Sequence, residues 1–114
     1  VVTVGKNYIA SRMVGTAATV MSHMAIGTGT STPVVGDTTL GTEAGRVSLA
    51  SFSSSNNTVT ATATFPAGSG TGAITEAGIF NASSSGTMLC RTTFPVVNKA
   101  SGDSIAITWT ITVS

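Results

Sequence analysis

The sequence predicts an all-β chain, an antiparallel β-sandwich or flattened barrel of about six strands with one short N-terminal helix. Three observations lead to it. The closing segment, Ser104 to Val113, alternates apolar and polar residues without a break, the period of a half-buried antiparallel strand. Threonine is the commonest residue, with 21 copies, and its β-branched side chain suits a pleated, half-exposed surface better than a helix. The alternating segments are separated by short connectors rich in Gly, Asn, Ser and Pro, the residues that turns demand.

Lys6 to Val14 carries Tyr8, Ile9, Arg12 and Met13 at helical spacing and stops at Gly15, a fitting residue for the position just past a helix end. Residues 1–5 then form a short arm ahead of a single domain spanning 1–114. Val20 to Ile26 and Arg46 to Phe52 read as strands, the latter with Val47 and Leu49 on one side. Asn56-Asn57 suits a hairpin turn, because Asn tolerates positive φ at low cost. Thr58 to Phe65 alternates Val59, Ala61, Ala63 and Phe65 with four threonines. Ile74 to Phe80 and Thr87 to Phe94 complete the set. Short links between consecutive strands predict a four-stranded meander from Thr58 to Val113. Its core is expected around Ile105, Ile107, Trp109 and Ile111, with Phe94 and Phe80.

Composition excludes several function classes. Only 8% of residues are charged, about a third of the usual share, and the polar surface is built from hydroxyls instead. Low net charge favours association, so such a surface suits a subunit packed against others. Lys6, Arg12, Arg46, Arg91 and Lys99 are scattered, with no basic stripe to meet successive phosphates, so no nucleic-acid partner is expected. No run reaches the roughly 18 apolar residues of a membrane span, and the first residues do not make a signal peptide. One cysteine, Cys90, excludes an internal disulfide, and its place in an apolar strand reads as a small core residue.

No catalytic, metal or cofactor site is expected. Gly27-Thr28-Gly29-Thr30 and Gly68-Ser69-Gly70-Thr71-Gly72 lack the Lys-Ser/Thr and following helix of a phosphate loop. His23 has no Cys or His at ligand spacing, and Asp37, Glu43, Glu76 and Asp103 are far apart in sequence. Glu76 stands out among them. It sits in a strand between Ile74 and Gly78 on the same face, where a carboxylate needs a partner; Arg46 and Arg91 are the candidates for a buried ion pair. The loop from Gly27 to Leu40 has no periodicity, and loops of that length tend to be functional. With its Thr28, Thr30, Pro33 and Val34, and with Val1, Val2 and Val4 of the arm, it supplies the candidate assembly contacts; the arm's valines are β-formers able to join a neighbour's sheet edge.

Three segments together carry a resemblance. Met24-Ala25-Ile26-Gly27-Thr28-Gly29-Thr30 is followed by Gly36-Asp37-Thr38-Thr39-Leu40-Gly41-Thr42-Glu43 and Arg46. Ile74-Thr75-Glu76-Ala77-Gly78-Ile79-Phe80-Asn81 comes next, then Thr87-Met88-Leu89 to Phe94, Lys99, and Ile107-Thr108-Trp109-Thr110-Ile111-Thr112-Val113. Across most of its length the chain resembles small phage structural proteins of the tail-collar and fibre type. The resemblance implies a non-enzymatic virion protein that works by assembly, partnered by phage capsid or tail proteins and commonly a homotrimer. The sequence ends at Ser114, directly after the last strand, with no stalk or receptor-binding tip, which turns the expectation from a fibre to a capsid decoration, or cement, protein on the outer shell. A tail collar, neck or baseplate fibre-anchor subunit is the second expectation. A carbohydrate-binding β-sandwich is the third, disfavoured because few aromatics remain for stacking on sugars.

Overall fold

Two antiparallel sheets hold most of the chain in the computed structural model, which describes residues 1–15 and 19–112. In chain order the elements are α1 (Thr3–Met13), β1 (His23–Gly27), β2 (Glu43–Ser48), β3 (Ser51–Ser55), β4 (Thr58–Phe65), β5 (Gly72–Phe80), β6 (Met88–Lys99) and β7 (Ile105–Thr112). One sheet has four strands in the order β2-β1-β5-β6, the other three in the order β3-β4-β7. They face each other as a sandwich over Met24, Ile26, Ala61, Ala63, Phe65, Ile74, Ala77 and Ile79.

The strand count is seven rather than six, because the expected Arg46 to Phe52 strand divides between the sheets. At the break the Leu49 amide donates to Ser22 O, beside the first sheet, and the next amide, Ala50, donates to Thr62 O of β4. The expected meander is also corrected. β5 pairs with β1 and β6, and β7 pairs with β4, so the links at 66–71 and 100–104 cross between sheets instead of turning within one. Each strand from β4 onward presents an apolar side, and strands facing each other across the sandwich cover those sides, which neighbours in a single layer would leave open. The β3–β4 hairpin does close over Asn56-Asn57, with Asn56 at φ 53°.

The helix starts three residues earlier than expected, and this removes the free arm. Val2 is buried, its amide donating to Leu89 O, while Thr3 donates to Val35 O. Val4 lies in the first turn and packs against the second apolar cluster. Val2 and Val4 are taken up in the fold, and of the three N-terminal valines only Val1 is exposed. Gly5 lets the helix sit directly on β6, since a Cβ there would collide with the backbone of Leu89. Gly15, at φ 77°, ends the helix with its amide on Arg12 O.

The four-stranded sheet is covered on both faces. Its inner face meets the other sheet; its outer face buries Ala25, Phe80 and Met88 under Val2 and Leu40. That accounts for the uninterrupted burial of β1 from Met24 to Gly27 and of β5 from Glu76 to Phe80, where a one-sided strand would alternate. Phe80 thus belongs to this second cluster rather than to the core of the closing strand. The three-stranded sheet is one-sided. Ile105, Ile107, Trp109 and Ile111 turn inward and the intervening residues outward, yet all four are only half-buried, and Ile107, Trp109 and Ile111, like Phe94, pack against the core from its margin. The fully buried anchors are instead Phe65, Phe80, Met24, Ile26, Ile74, Ile79 and Met88. Val113, expected at the end of the closing strand, lies outside the described residues.

Candidate functional site: a loop clamped by Glu76

Glu76 projects from β5 onto the outer face of the four-stranded sheet and is fully buried, beneath the segment that joins β1 to β2. Its carboxylate receives four donors. The amides of Gly29 and Thr42 donate to Oε2 at 2.7 and 2.8 Å, and the Gly41 amide donates to Oε1 at 2.8 Å. Arg91 Nε, from β6, donates to Oε1 at 2.9 Å. One side chain therefore holds the start and the end of residues 28–42 together, and the neighbouring Thr75 hydroxyl adds a bond to Gly29 O at 2.6 Å. A Cβ at Gly29 would collide with the carboxylate, so glycine is what lets the backbone come within reach. Burial alone would raise the Glu76 pKa, but the Thr42 and Gly41 amides, the Arg91 guanidinium and the Gly29 amide outweigh it and hold the carboxyl below its ordinary value.

Arg91 extends the clamp into the middle of the loop. It donates to Asp37 Oδ2 at 3.2 Å and to Ser31 O at 3.0 Å, with its side chain only 1% exposed. Asp37 in turn accepts from the Val34 amide at 3.0 Å and donates its own amide to Val34 O, closing a tight turn at the loop tip. Of the two arginines offered as partners for Glu76, the structure chooses Arg91. Arg46 forms a forked pair with Glu43 at 2.7 and 3.0 Å, ties down the 81–86 turn through Ala82 O and Ser85 O, and lies 3.8 Å over the Phe80 ring. Register explains the choice: Arg46 stands opposite Ala25 on edge strand β2, across β1 from Glu76, whereas Arg91 stands opposite Gly78, two residues along the same face of β5.

The clamp presents a small apolar tip. Val34 and Val35 are 59% and 62% exposed, flanked by exposed Thr30 and half-buried Pro33. Through the bond from Thr3 to Val35 O, the tip adjoins the chain start, where Val1 is 47% exposed. Val1, Thr30 and Val34 are thus exposed and Pro33 half-buried, while Val2, Val4 and Thr28 are taken up in the packing. Sequence reasoning missed Val35 and Asp37. Asp37 is 54 residues from Arg91, and nothing in the local pattern points across that distance.

Two other buried groups bear on chemistry. Cys90 lies between the sheets, where burial pushes its thiol up to about 12, so it carries no thiolate near neutrality. Lys99 is 2% exposed and spans to Pro66 O at 2.9 Å, tying the end of β6 to the end of β4. Among the described residues no group of three or more His, Cys, Asp and Glu side chains converges as a metal site would require, and no helix is long and apolar enough to cross a membrane. Comparison with protein-family models and with curated proteins finds no match to this chain.

Proposed function

We propose that this chain is a non-enzymatic phage virion structural protein, a decoration or cement subunit bound to the outer capsid shell. One observation carries the reading: the longest irregular segment is fastened by a buried Glu76–Arg91 pair and holds an exposed valine tip in fixed position. Ordering fifteen residues of loop around one carboxylate is costly in conformational entropy, and a preset tip lowers the ordering cost of docking on another protein. The resemblance of the 24–46, 74–81 and 87–113 segments to tail-collar and fibre-type proteins supports a virion setting. Low charge supports it as well, since covering such a surface desolvates few charges. Many weak copies on one shell would then stabilise it by avidity.

The test is to mix purified protein with undecorated capsids and measure bound copies per shell and the heat resistance of the particles. Saturating binding with raised heat resistance is expected. Val34→Asp and Val35→Asp should each reduce bound copies at least tenfold while leaving the melting curve of the free protein nearly unchanged, as exposed substitutions do. Binding to tails instead of capsids would give the case to a collar or fibre-anchor subunit; binding to neither, with retention on a glycan array, would give it to a carbohydrate-binding module.

A further inference from the structure

The two sheets treat their edges differently. In the four-stranded sheet, edge strand β2 carries the Glu43–Arg46 pair and shifts register against β1, while edge strand β6 contains Pro95, buried Arg91 and Lys99 and shifts register twice against β5. Charges, proline and irregular pairing are the devices that stop an edge from recruiting another strand. The three-stranded sheet has none of them. β3, β4 and β7 hold no charged residue and no proline, and their pairings run without a register shift. β3 is five residues long, whereas β7 offers eight with β4 on one side only.

The inner side of β7 is also unfinished. Ile105 and Ile107 border a cleft of about 270 Å³ shared with Ile74, Phe94 and Val97; a second cleft, of about 500 Å³, touches Ile111 but runs beneath the whole sheet, reaching Val59 of β4 and Phe52 of β3. On β4, by contrast, Ala61, Ala63 and Phe65 are completely buried. Beyond β7 lies a place for one more strand, required to be apolar inward and hydroxyl outward.

We propose that a second copy of this chain supplies that strand, its β7 pairing antiparallel with β7 across a two-fold axis to make one six-stranded sheet. The pattern of β7 is self-complementary. With the axis at Thr108, Trp109 meets Ile107 of the second copy and Ile105 meets Ile111; with the axis at Trp109, Ile107 meets Ile111. Both registers keep apolar residues inward and continue the outer array in which Thr108, Thr110 and Thr112 stand beside Thr62, Thr60 and Thr58. No charge on this sheet opposes the approach, and each copy extends apolar cover over the other's half-buried face. An eight-residue edge is smaller than the about 800 Å² per partner of a standard stable interface, so the pair is concentration-dependent.

Sedimentation equilibrium from about 1 μM to about 1 mM spans the affinities of such small interfaces. The expected result is a monomer–dimer shift for the unaltered chain. T108K/T110K and T108E/T110E change only outward residues, and each alone should stay monomeric, because either register sets like charges against each other. Their equimolar mixture should regain the dimer. Circular dichroism and melting curves check that both variants fold. Independently of any variant, the β7 amides of the unaltered chain should gain at least tenfold hydrogen-exchange protection between the dilute and concentrated ends. A chain monomeric throughout, a trimer, a dimer indifferent to the lysine pair, or unchanged β7 exchange on association would overturn the proposal. None of these outcomes depends on binding to capsids.

Discussion

Glu76 shows how much one side chain organises. Its folded-state pKa is depressed, so its contribution to stability is fully present above the unfolded carboxylate value of about 4.3 and is lost as pH falls through the lower folded value. Glu76→Gln should destabilise the protein by about 3 kcal/mol at pH 7, the low end for breaking a buried pair, because Arg91 keeps Asp37. The variant should also lose less stability than the parent between about pH 5 and pH 3, since the titrating group is gone. Urea midpoints at the two pH values measure both; equal midpoints for parent and variant at pH 7 would refute the clamp. The sequence marked Glu76 because a charge between Ile74 and Gly78 needed a partner, and it narrowed the partner to two arginines. It could not mark the Gly29, Gly41 and Thr42 amides, since a backbone donor has no residue signature and these lie 34 to 47 residues away.

At the scale of elements, periodicity told faces well and neighbours badly. The alternation in β4 and β7 assigned every inward and outward residue, because a period of two is a property of the strand itself. Which strand lies alongside depends on whether a connector turns or crosses, and residues 66–71 and 100–104 hold turn formers that serve either. The division of β2 from β3 at Leu49-Ala50 has no Gly or Pro to announce it. Burial differs from expectation too, and the difference is measurable. Trp109 is half-buried, so Trp109→Ala should cost about 2–3 kcal/mol, below the range for a fully enclosed aromatic, and Thr110→Ala under about 1 kcal/mol. Chemical denaturation separates the two; equal effects would mean that the faces of β7 are assigned the wrong way round.

For the whole molecule, the chain start is part of the structure it was expected to reach away from. Removing Val1–Val4 takes Val2 out of the outer cluster and removes the first two residues of α1, so the truncated chain should unfold at clearly lower urea concentration. A truncated chain as stable as the parent would show that the cluster of Val2, Leu40, Phe80 and Met88 does not need its N-terminal member. Burial of the four-stranded sheet on both faces couples that cluster to the one between the sheets, since β1 and β5 contribute to each. The sole cysteine stands in the cluster between the sheets and gives the molecule an internal gauge. Cys90 is closed off while β5, β6 and the facing sheet are in place, so a thiol reagent can reach it only when they part. Its alkylation rate on free protein should therefore track the opening equilibrium and rise with urea. Measured again on protein attached to a particle, the same rate would report in situ how far attachment holds the sandwich shut.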